Sequence, residues 1–159
     1  MVILYQTIGF SWAQQSHESD SLADLGYSYY EEGLYEEAVE AFSGALELNI
    51  DAESYYLRGV CYSQLGLNDQ AIADYNQALV LMPDYAEVYY EKGYSYFLLS
   101  QYDSALSAFD RAIGLNAQYA AAYVNRGSIY CILGKRQQAI EDWNTAEGLG
   151  AQVPLLECD

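Results

Sequence analysis

Apolar side chains recur along the chain at the spacing of amphipathic helices, and short turns separate one helical stretch from the next. In residues 52–85, an apolar stripe through Tyr55 and Val60 marks one helix, and a second stripe through Ile72 and Leu79 marks another. No stretch alternates between apolar and polar residues as a strand would. The pattern predicts helices at about 19–32, 35–48, 52–65, 68–81, 86–99, 102–115, 120–133 and 136–148.

These helices form a unit of about 34 residues that occurs four times. In the first helix of each unit, Gly59, Gly93 and Gly127 keep that spacing, and Gly26 lies 33 residues before Gly59. Alanines and one aromatic residue repeat in the second helix, at Ala38, Phe42 and Ala45, at Ala71, Tyr75 and Ala78, at Ala105, Phe109 and Ala112, and at Ala139, Trp143 and Ala146. Because glycine inside a helix costs about 1 kcal/mol relative to alanine, we expect each glycine to allow a close approach of the partner helix.

The charge of the chain excludes several kinds of partner. Its 159 residues include 23 acids and six bases, which gives a net charge of −17. No nucleic-acid partner is expected, because such binding depends on lysine and arginine neutralising phosphates. Anionic membrane surfaces are disfavoured for the same reason. The acids are concentrated between Glu18 and Glu53, where no base occurs, whereas Lys135 and Arg136 form a small basic cluster near the other end.

Residues suited to catalysis or metal binding are scarce. The only histidine, His17, lies outside the repeats, so the chain cannot form a histidine-based dyad or triad. The phosphate-loop, dinucleotide-binding, HExxH and EF-hand motifs do not occur. The acidic pairs Glu31–Glu32 and Glu36–Glu37 flank a turn and are expected to be solvated. We therefore expect no enzymatic activity, no cofactor and no metal site.

The three cysteines show no metal-ligand spacing. Cys61 and Cys131 fall inside helical patterns, where a free cysteine usually packs as a small hydrophobic residue. Cys158 stands next to the C-terminal residue and is expected to be an exposed, unpaired thiol. A disulfide with a second chain is the alternative at that position.

Residues 1–17 form an apolar N-terminal segment outside the repeats. Residues 1–13 carry no charged side chain and are too few to span a bilayer, which needs about 20 apolar residues. The segment is compatible with a secretory signal, although the basic leader of such signals is missing. It is also compatible with docking on its own molecule or a neighbour, or with an early start of the reading frame. An extracellular or cell-envelope location is favoured over the cytoplasm.

The repeated residues resemble the tetratricopeptide repeat, over about residues 19–152. The second copy matches the family pattern at Tyr55, Gly59, Tyr62, Ala71, Tyr75, Ala78 and Pro83. The chain departs from the pattern at Ile50, Ala117 and Ala151 in the proline position, and at Arg58, Lys92 and Arg126 in a leucine position. The resemblance implies an all-α, right-handed superhelical solenoid of antiparallel helix pairs. Its repeats would span 19–51, 52–85, 86–119 and 120–153, followed by a tail at 154–159.

In tetratricopeptide proteins the first helices of successive pairs line a concave groove that holds a peptide or a partner helix. The resemblance places in this groove Ala23, Tyr27, Tyr30, Tyr56, Val60, Gln64, Tyr90, Tyr94, Phe97, Leu98, Val124, Ser128 and Cys131. Family members that bind acidic chaperone C-termini use basic residues that are missing here, and Asp20, Glu53 and Glu87 lie at the rim. An acidic chaperone C-terminus is therefore not expected, whereas an apolar segment suits this tyrosine-rich surface.

The ends of the repeat array suggest self-association. Solenoids need terminal caps with a polar outer face, and neither the apolar N-terminal segment nor the short C-terminal tail provides one. We therefore predict a scaffold that associates head to tail into a ring, filament or other homo-oligomer. The residues expected at that contact are Ile3, Leu4, Tyr5, Ile8, Phe10, Trp12, Lys135, Arg136, Leu155 and Leu156. The alternative is an adaptor that holds an apolar segment of another protein in the groove.

Overall fold

The computed structural model describes residues 2–154 and Cys158, with side chains from Gln14 onward. Those residues form helices joined by short turns, and no strand occurs among them. The helices are α1 (Val2–Glu32), α2 (Tyr35–Leu48), α3 (Ala52–Gln64), α4 (Asn68–Leu81), α5 (Ala86–Leu98), α6 (Tyr102–Leu115), α7 (Ala120–Ile132) and α8 (Arg136–Gly148). Apart from the start of α1, each boundary lies within one residue of the prediction. The all-α fold of antiparallel helix pairs is confirmed.

Helix α1 begins at Val2, so residues 2–17 are helical and continue into the first helix of the first repeat. The sequence between Phe10 and Leu25 contains neither glycine nor proline, and nothing in it ends a helix. Gln15 donates a hydrogen bond from Nε2 to the carbonyl of Leu48, the last residue of α2, at 3.0 Å. The residues before Gln15 extend α1 further. None of the described helices is long and apolar enough to cross a membrane.

The chain divides into two compact units, Met1–Met82 and Pro83–Asp159. In the first unit, α1 packs on α2, α2 on α3 and α3 on α4. The second unit repeats this order with α5 to α8. Each unit therefore contains two helix pairs, and consecutive helices are neighbours within it.

In every pair, the glycine of the first helix lies against the aromatic ring of the second helix. A Cβ atom added to the glycine would stand within 3 Å of that ring in all four repeats. The pairs are Gly26 with Phe42, Gly59 with Tyr75, Gly93 with Phe109 and Gly127 with Trp143. The rings are buried, and so are the alanines one helical turn before and after them. The close helix approach expected from the repeated glycines is therefore confirmed.

Arg58 and Arg126, which replace the usual leucine, each bind an aspartate in the following helix. Arg58 donates from Nε and Nη2 to the two carboxylate oxygens of Asp74, at 2.7 and 2.8 Å. Arg126 makes the same two bonds to Asp142, at 2.8 and 2.6 Å, and also pairs with Asp110 of α6. Hydrogen bonding to the aspartate raises the pKa of both arginines. These bidentate pairs tie the first helix of a repeat to the second.

Cys158 is buried and forms a disulfide with Cys131, so the prediction of an exposed, unpaired thiol is wrong. The prediction that Cys131 is a free hydrophobic cysteine is wrong for the same reason. The Cα atoms of the two cysteines lie 5.1 Å apart across a sequence separation of 27 residues. Cys158 and Val153 pack on a cluster that includes Trp143 and Ala139. Val153 and Cys158 therefore cover part of the apolar surface of the last helix pair.

Replacing Gly59 by alanine should lower the free energy of unfolding by about 1 kcal/mol. The new Cβ would lie 2.6 Å from the buried ring of Tyr75 and 3.3 Å from the carbonyl oxygen of Ala71. Overpacking of this kind costs roughly 1–3 kcal/mol, whereas the gain in helix propensity is at most about 1 kcal/mol. Gly114→Ala is the control, because nothing lies within 4 Å of its added Cβ. Urea unfolding should show Gly114→Ala to be neutral or stabilising, and equal effects of both changes would contradict this account.

The variant Cys158→Ser should lower the unfolding free energy by about 2–4 kcal/mol, since a disulfide that closes a loop of this size restricts the unfolded chain. Urea unfolding of the purified oxidised protein and of the variant gives the difference. Mass spectrometry of a non-reduced digest should also recover the Cys131 and Cys158 peptides linked. A stability unchanged by the substitution would show that the bond does not hold the tail.

Candidate functional site

Two apolar faces, one in each unit, carry the predicted groove residues. In the first unit, the Tyr27 face comprises Tyr27 and Tyr30 of α1 and Tyr56 of α3. In the second unit, the Tyr94 face comprises Tyr90, Tyr94, Phe97 and Leu98 of α5 and Val124 of α7. Helices α1 and α3 are in contact within the first unit, and α5 and α7 are in contact within the second. In each unit the predicted residues therefore lie on two first helices that are in contact.

The Tyr27 face is partly built into the core. Tyr27 is 47% exposed, and its ring centroid lies 6.3 Å from that of Tyr30. Tyr56 is half-buried, with its ring centroid 6.4 Å from that of the buried Tyr75. Val60, which was expected to line the groove, is only 6% exposed and packs in the core. Tyr27 is therefore the main contact residue that this face offers.

An acidic cavity of about 350 Å³ lies beside Tyr27. Asp20, Asp24 and Glu53 line it, which places two of the predicted rim acids there. Asp51 lines it too and caps α3, because its Oδ1 accepts a hydrogen bond from the backbone N–H of Ser54 at 2.7 Å. The concentration of carboxylates makes this part of the first unit unfavourable for an acidic partner.

The Tyr94 face has an exposed part and a fixed part. Tyr94 and Leu98 are 37% and 47% exposed and lie one helical turn apart on α5. Tyr90 is half-buried, and its ring stacks on that of Tyr119 with centroids 4.8 Å apart. The hydroxyl of Tyr90 accepts a hydrogen bond from Nδ2 of Asn125 at 3.1 Å. Two contacts thus hold Tyr90 in place next to two side chains that remain available to a partner.

Glu91 is a further charged group on α5, and the repeat pattern does not indicate its environment. Burial raises the pKa of its carboxyl group above the ordinary range for glutamate. Burial also raises the pKa of Tyr90, and the charge of Glu91 adds to that effect. Sequence reasoning missed Tyr119, Asn125 and Glu91, because the contacts of Tyr90 and the burial of Glu91 depend on tertiary packing rather than on the repeat pattern.

The remaining predicted residues are spread over both units. Ser128 donates its hydroxyl to the carbonyl of Val124 at 2.9 Å, and Cys131 is held in the disulfide. Lys135 and Arg136 are exposed at the start of α8, with Lys135 Nζ 5.7 Å from the ring centroid of Tyr130. The side chains of Ile3, Leu4, Tyr5, Ile8, Phe10 and Trp12 lie outside the described part, as do Leu155 and Leu156 entirely. Nowhere in the described part do three or more candidate ligands gather as a metal ion would require.

Repeated helix pairs with apolar first-helix faces define a helical-repeat protein. Family models described as "Tetratricopeptide repeat" match residues 19–49 and 86–119, and one described as "TPR repeat" matches residues 61–100. The chain therefore belongs to the tetratricopeptide repeat family.

Several solved structures are similar to this chain. A crystal structure of MamA is 27% identical, with a TM-score of 0.81 over 84% of this chain and 78% of that one. YrrB, described as a TPR protein with an unusual peptide-binding site, is 23% identical, with a TM-score of 0.75 over 82% of this chain and 68% of that one. The first TPR domain of Spaghetti (RPAP3), bound to the HSP90 peptide SRMEEVD, is 23% identical, with a TM-score of 0.72 over 74% of this chain and 94% of that one. The last two likenesses concern the fold alone.

Replacing Glu91 by glutamine should stabilise the protein at neutral pH and much less in acid. Because the folded-state pKa of Glu91 is raised, its contribution to stability is fully present below the unfolded pKa of about 4.3 and is lost as the pH rises through the folded value. Thermal unfolding at pH 7 should therefore give a higher melting temperature for Glu91→Gln than for the wild type, and the gap should shrink near about pH 4.

Glu87→Gln is the matched control on the same helix, because Glu87 is exposed and lies in the first turn of α5. This control should not gain stability at neutral pH, since an acid in the first turn is favoured by the helix dipole. Equal gains for both glutamines would mean that lower net charge, and not burial of Glu91, explains the result.

Proposed function

We propose that this chain is a non-enzymatic scaffold that holds an apolar segment of another protein against the Tyr94 face. The observation that carries the proposal is the exposure of Tyr94 and Leu98 beside a Tyr90 that Tyr119 and Asn125 hold in place. Tyrosine offers a large contact area with a hydrogen-bonding tip and few rotatable bonds, so ordering it on binding costs little entropy. A ring that is already fixed loses still less freedom when a partner binds.

The negative charge of the chain limits the charge that a bound segment can carry. The net charge is −17, and the cavity beside the Tyr27 face is lined by carboxylates. The net charge of the chain would repel a strongly acidic segment, so the segment is apolar and carries little negative charge. Structures of peptide-binding relatives support the general role of protein recognition. The disulfide between Cys131 and Cys158 favours an extracellular or cell-envelope location, because such bonds persist in oxidising compartments.

The double variant Tyr94→Ala, Leu98→Ala should weaken binding of peptides selected against the wild-type protein from a displayed random library. A loss of about tenfold or more is expected, because each truncation removes a large apolar contact. Val80→Ala is the control, since Val80 is 74% exposed on α4 and lies outside both faces. The proposal fails if the selected peptides bind the double variant as tightly as they bind the wild type and Val80→Ala.

Self-association is the second candidate, and the continuous helix α1 favours it. Residues 2–13 prolong α1 with an uncharged, mostly apolar sequence, which is suited to packing against another helix. We propose that this extension docks on a second copy of the chain, with Lys135 and Arg136 available to the acidic N-terminal half of a neighbour. Deletion of residues 2–13 should turn an oligomer into a monomer in light scattering. A mass that the deletion leaves unchanged would rule the extension out as the contact.

A further inference from the structure

A second cavity, of about 370 Å³, lies between α5 and α6 and is lined by two basic side chains. The two are Lys92 of α5 and Arg111 of α6, a third of the six basic residues in the chain. Lys92 Nζ lies 5.8 Å from the ring centroid of Tyr96, and the Arg111 guanidinium carbon lies 5.3 Å from that of Tyr89. This cationic cavity belongs wholly to the second unit.

The second and fourth repeats show which side chain pairs with the cation at the position of Lys92. Arg58 and Arg126 stand where the third repeat has Lys92, and each binds its aspartate through both carboxylate oxygens. Each also lies 5.5 and 5.9 Å from the centroids of two tyrosine rings. In the third repeat the two matching rings lie near different cations, Tyr96 near Lys92 and Tyr89 near Arg111. The aspartate has no counterpart there, because Ala108 takes its position. The third repeat thus keeps the cation and the rings and lacks the carboxylate.

The third repeat also has a second positive charge in the cationic cavity, that of Arg111. Arg111 has Gln77 and Thr145 as its counterparts in the second and fourth repeats. The hydroxyl groups of Ser104 and Ser107 line the cavity as well, and both residues are exposed enough to turn toward an incoming group. Within the described part of the chain, Lys92 forms no ion pair, and burial lowers the pKa of its ammonium group.

We propose that the cationic cavity binds a carboxylate from outside the chain, in the place of the aspartate that the second and fourth repeats provide themselves. The ligand is either an acidic side chain or C-terminus of a protein, or a small carboxylic acid. Asp103 also lines the cavity, and its carboxylate disfavours phosphate, in which more than one negative charge is concentrated on a single group. The Tyr94 face is a separate surface, because Tyr89, Lys92 and Tyr96 share one side of α5 at spacings of three and four residues, whereas Tyr90, Tyr94 and Leu98 share another.

The chain contains only two lysines, which allows a direct test with an internal control. Protein labelled with ¹³C-lysine gives separate signals for the ε-methylene groups of Lys92 and of Lys135, and Lys135 lies over a tyrosine ring outside the cavity. Acetate, glutarate, a capped tetraglutamate peptide and inorganic phosphate are titrated in turn at constant ionic strength. We expect the Lys92 signal to shift saturably with the carboxylates while Lys135 does not. The pKa of Lys92 should rise when the site is occupied.

Three variants sharpen the test. Ala108→Asp should provide the missing carboxylate from the chain itself, so that the affinity of the cavity for added carboxylates falls by about tenfold or more. Asp74 and Asp142 occupy the same position with equally low exposure, which indicates that an aspartate fits there. Arg111→Gln removes the second cation at an exposed position and should weaken binding severalfold without affecting the fold. Lys135→Gln is the matched control and should leave the affinity unchanged.

The probes also separate the two sources of the carboxylate. Tighter binding of the tetraglutamate peptide than of acetate and glutarate would assign the site to protein side chains, and the reverse order to small acids. Equal, unsaturable shifts of both lysines would overturn the proposal, as would undiminished binding by a folded Ala108→Asp variant. Tighter binding of phosphate than of any carboxylate would overturn the choice of ligand.

Discussion

Each repeat depends on the contact between a helical glycine and an aromatic ring. The absent side chain at Gly59 or Gly93 leaves room for a ring that would otherwise be kept several tenths of an ångström away. A ring held this closely excludes water from both helices of the pair, and the fully buried alanines around it let the backbones remain near each other. The identity of the ring can change among phenylalanine, tyrosine and tryptophan, because the requirement is a flat group against a bare helix surface. The glycine cannot vary in the same way, because any side chain there would meet the ring.

The repeat spacing was enough to predict the close approach of the two helices at each glycine and nearly all helix boundaries, but not that the aromatic ring of the same pair lies against the glycine. Both follow from residue types that recur at fixed positions, so four copies reinforce one interpretation. The start of α1 could not be predicted in this way, because residues before Asp20 match no repeat and helix continuation there depends only on the lack of a stop signal. The position of Asn125 at Tyr90 depends on which faces of α5 and α7 meet, and the burial of Glu91 is likewise a result of tertiary packing that the repeat pattern does not encode.

Helix α5 illustrates how one element can serve several purposes. Gly93 points to the ring of Phe109, whereas Tyr94 and Leu98 point outward. Tyr89, Lys92 and Tyr96 face the cationic cavity beside α6. Since residues three and four apart share a helix face, a sequence of 13 residues is long enough to carry all three surfaces. Only the contact between the glycine and the aromatic ring recurs in every repeat. The exposed face and the cavity differ from one repeat to the next.

The disulfide at the end of the second unit also determines how the protein reacts with other thiols. With Cys131 and Cys158 joined, Cys61 is the sole free cysteine of the chain. Burial raises the pKa of the Cys61 thiol to about 11, so almost none of it is the thiolate that attacks disulfides. The folded, oxidised chain therefore has no ready nucleophile for thiol–disulfide exchange. In a compartment crowded with oxidising proteins, it can hold a partner without becoming covalently linked to it.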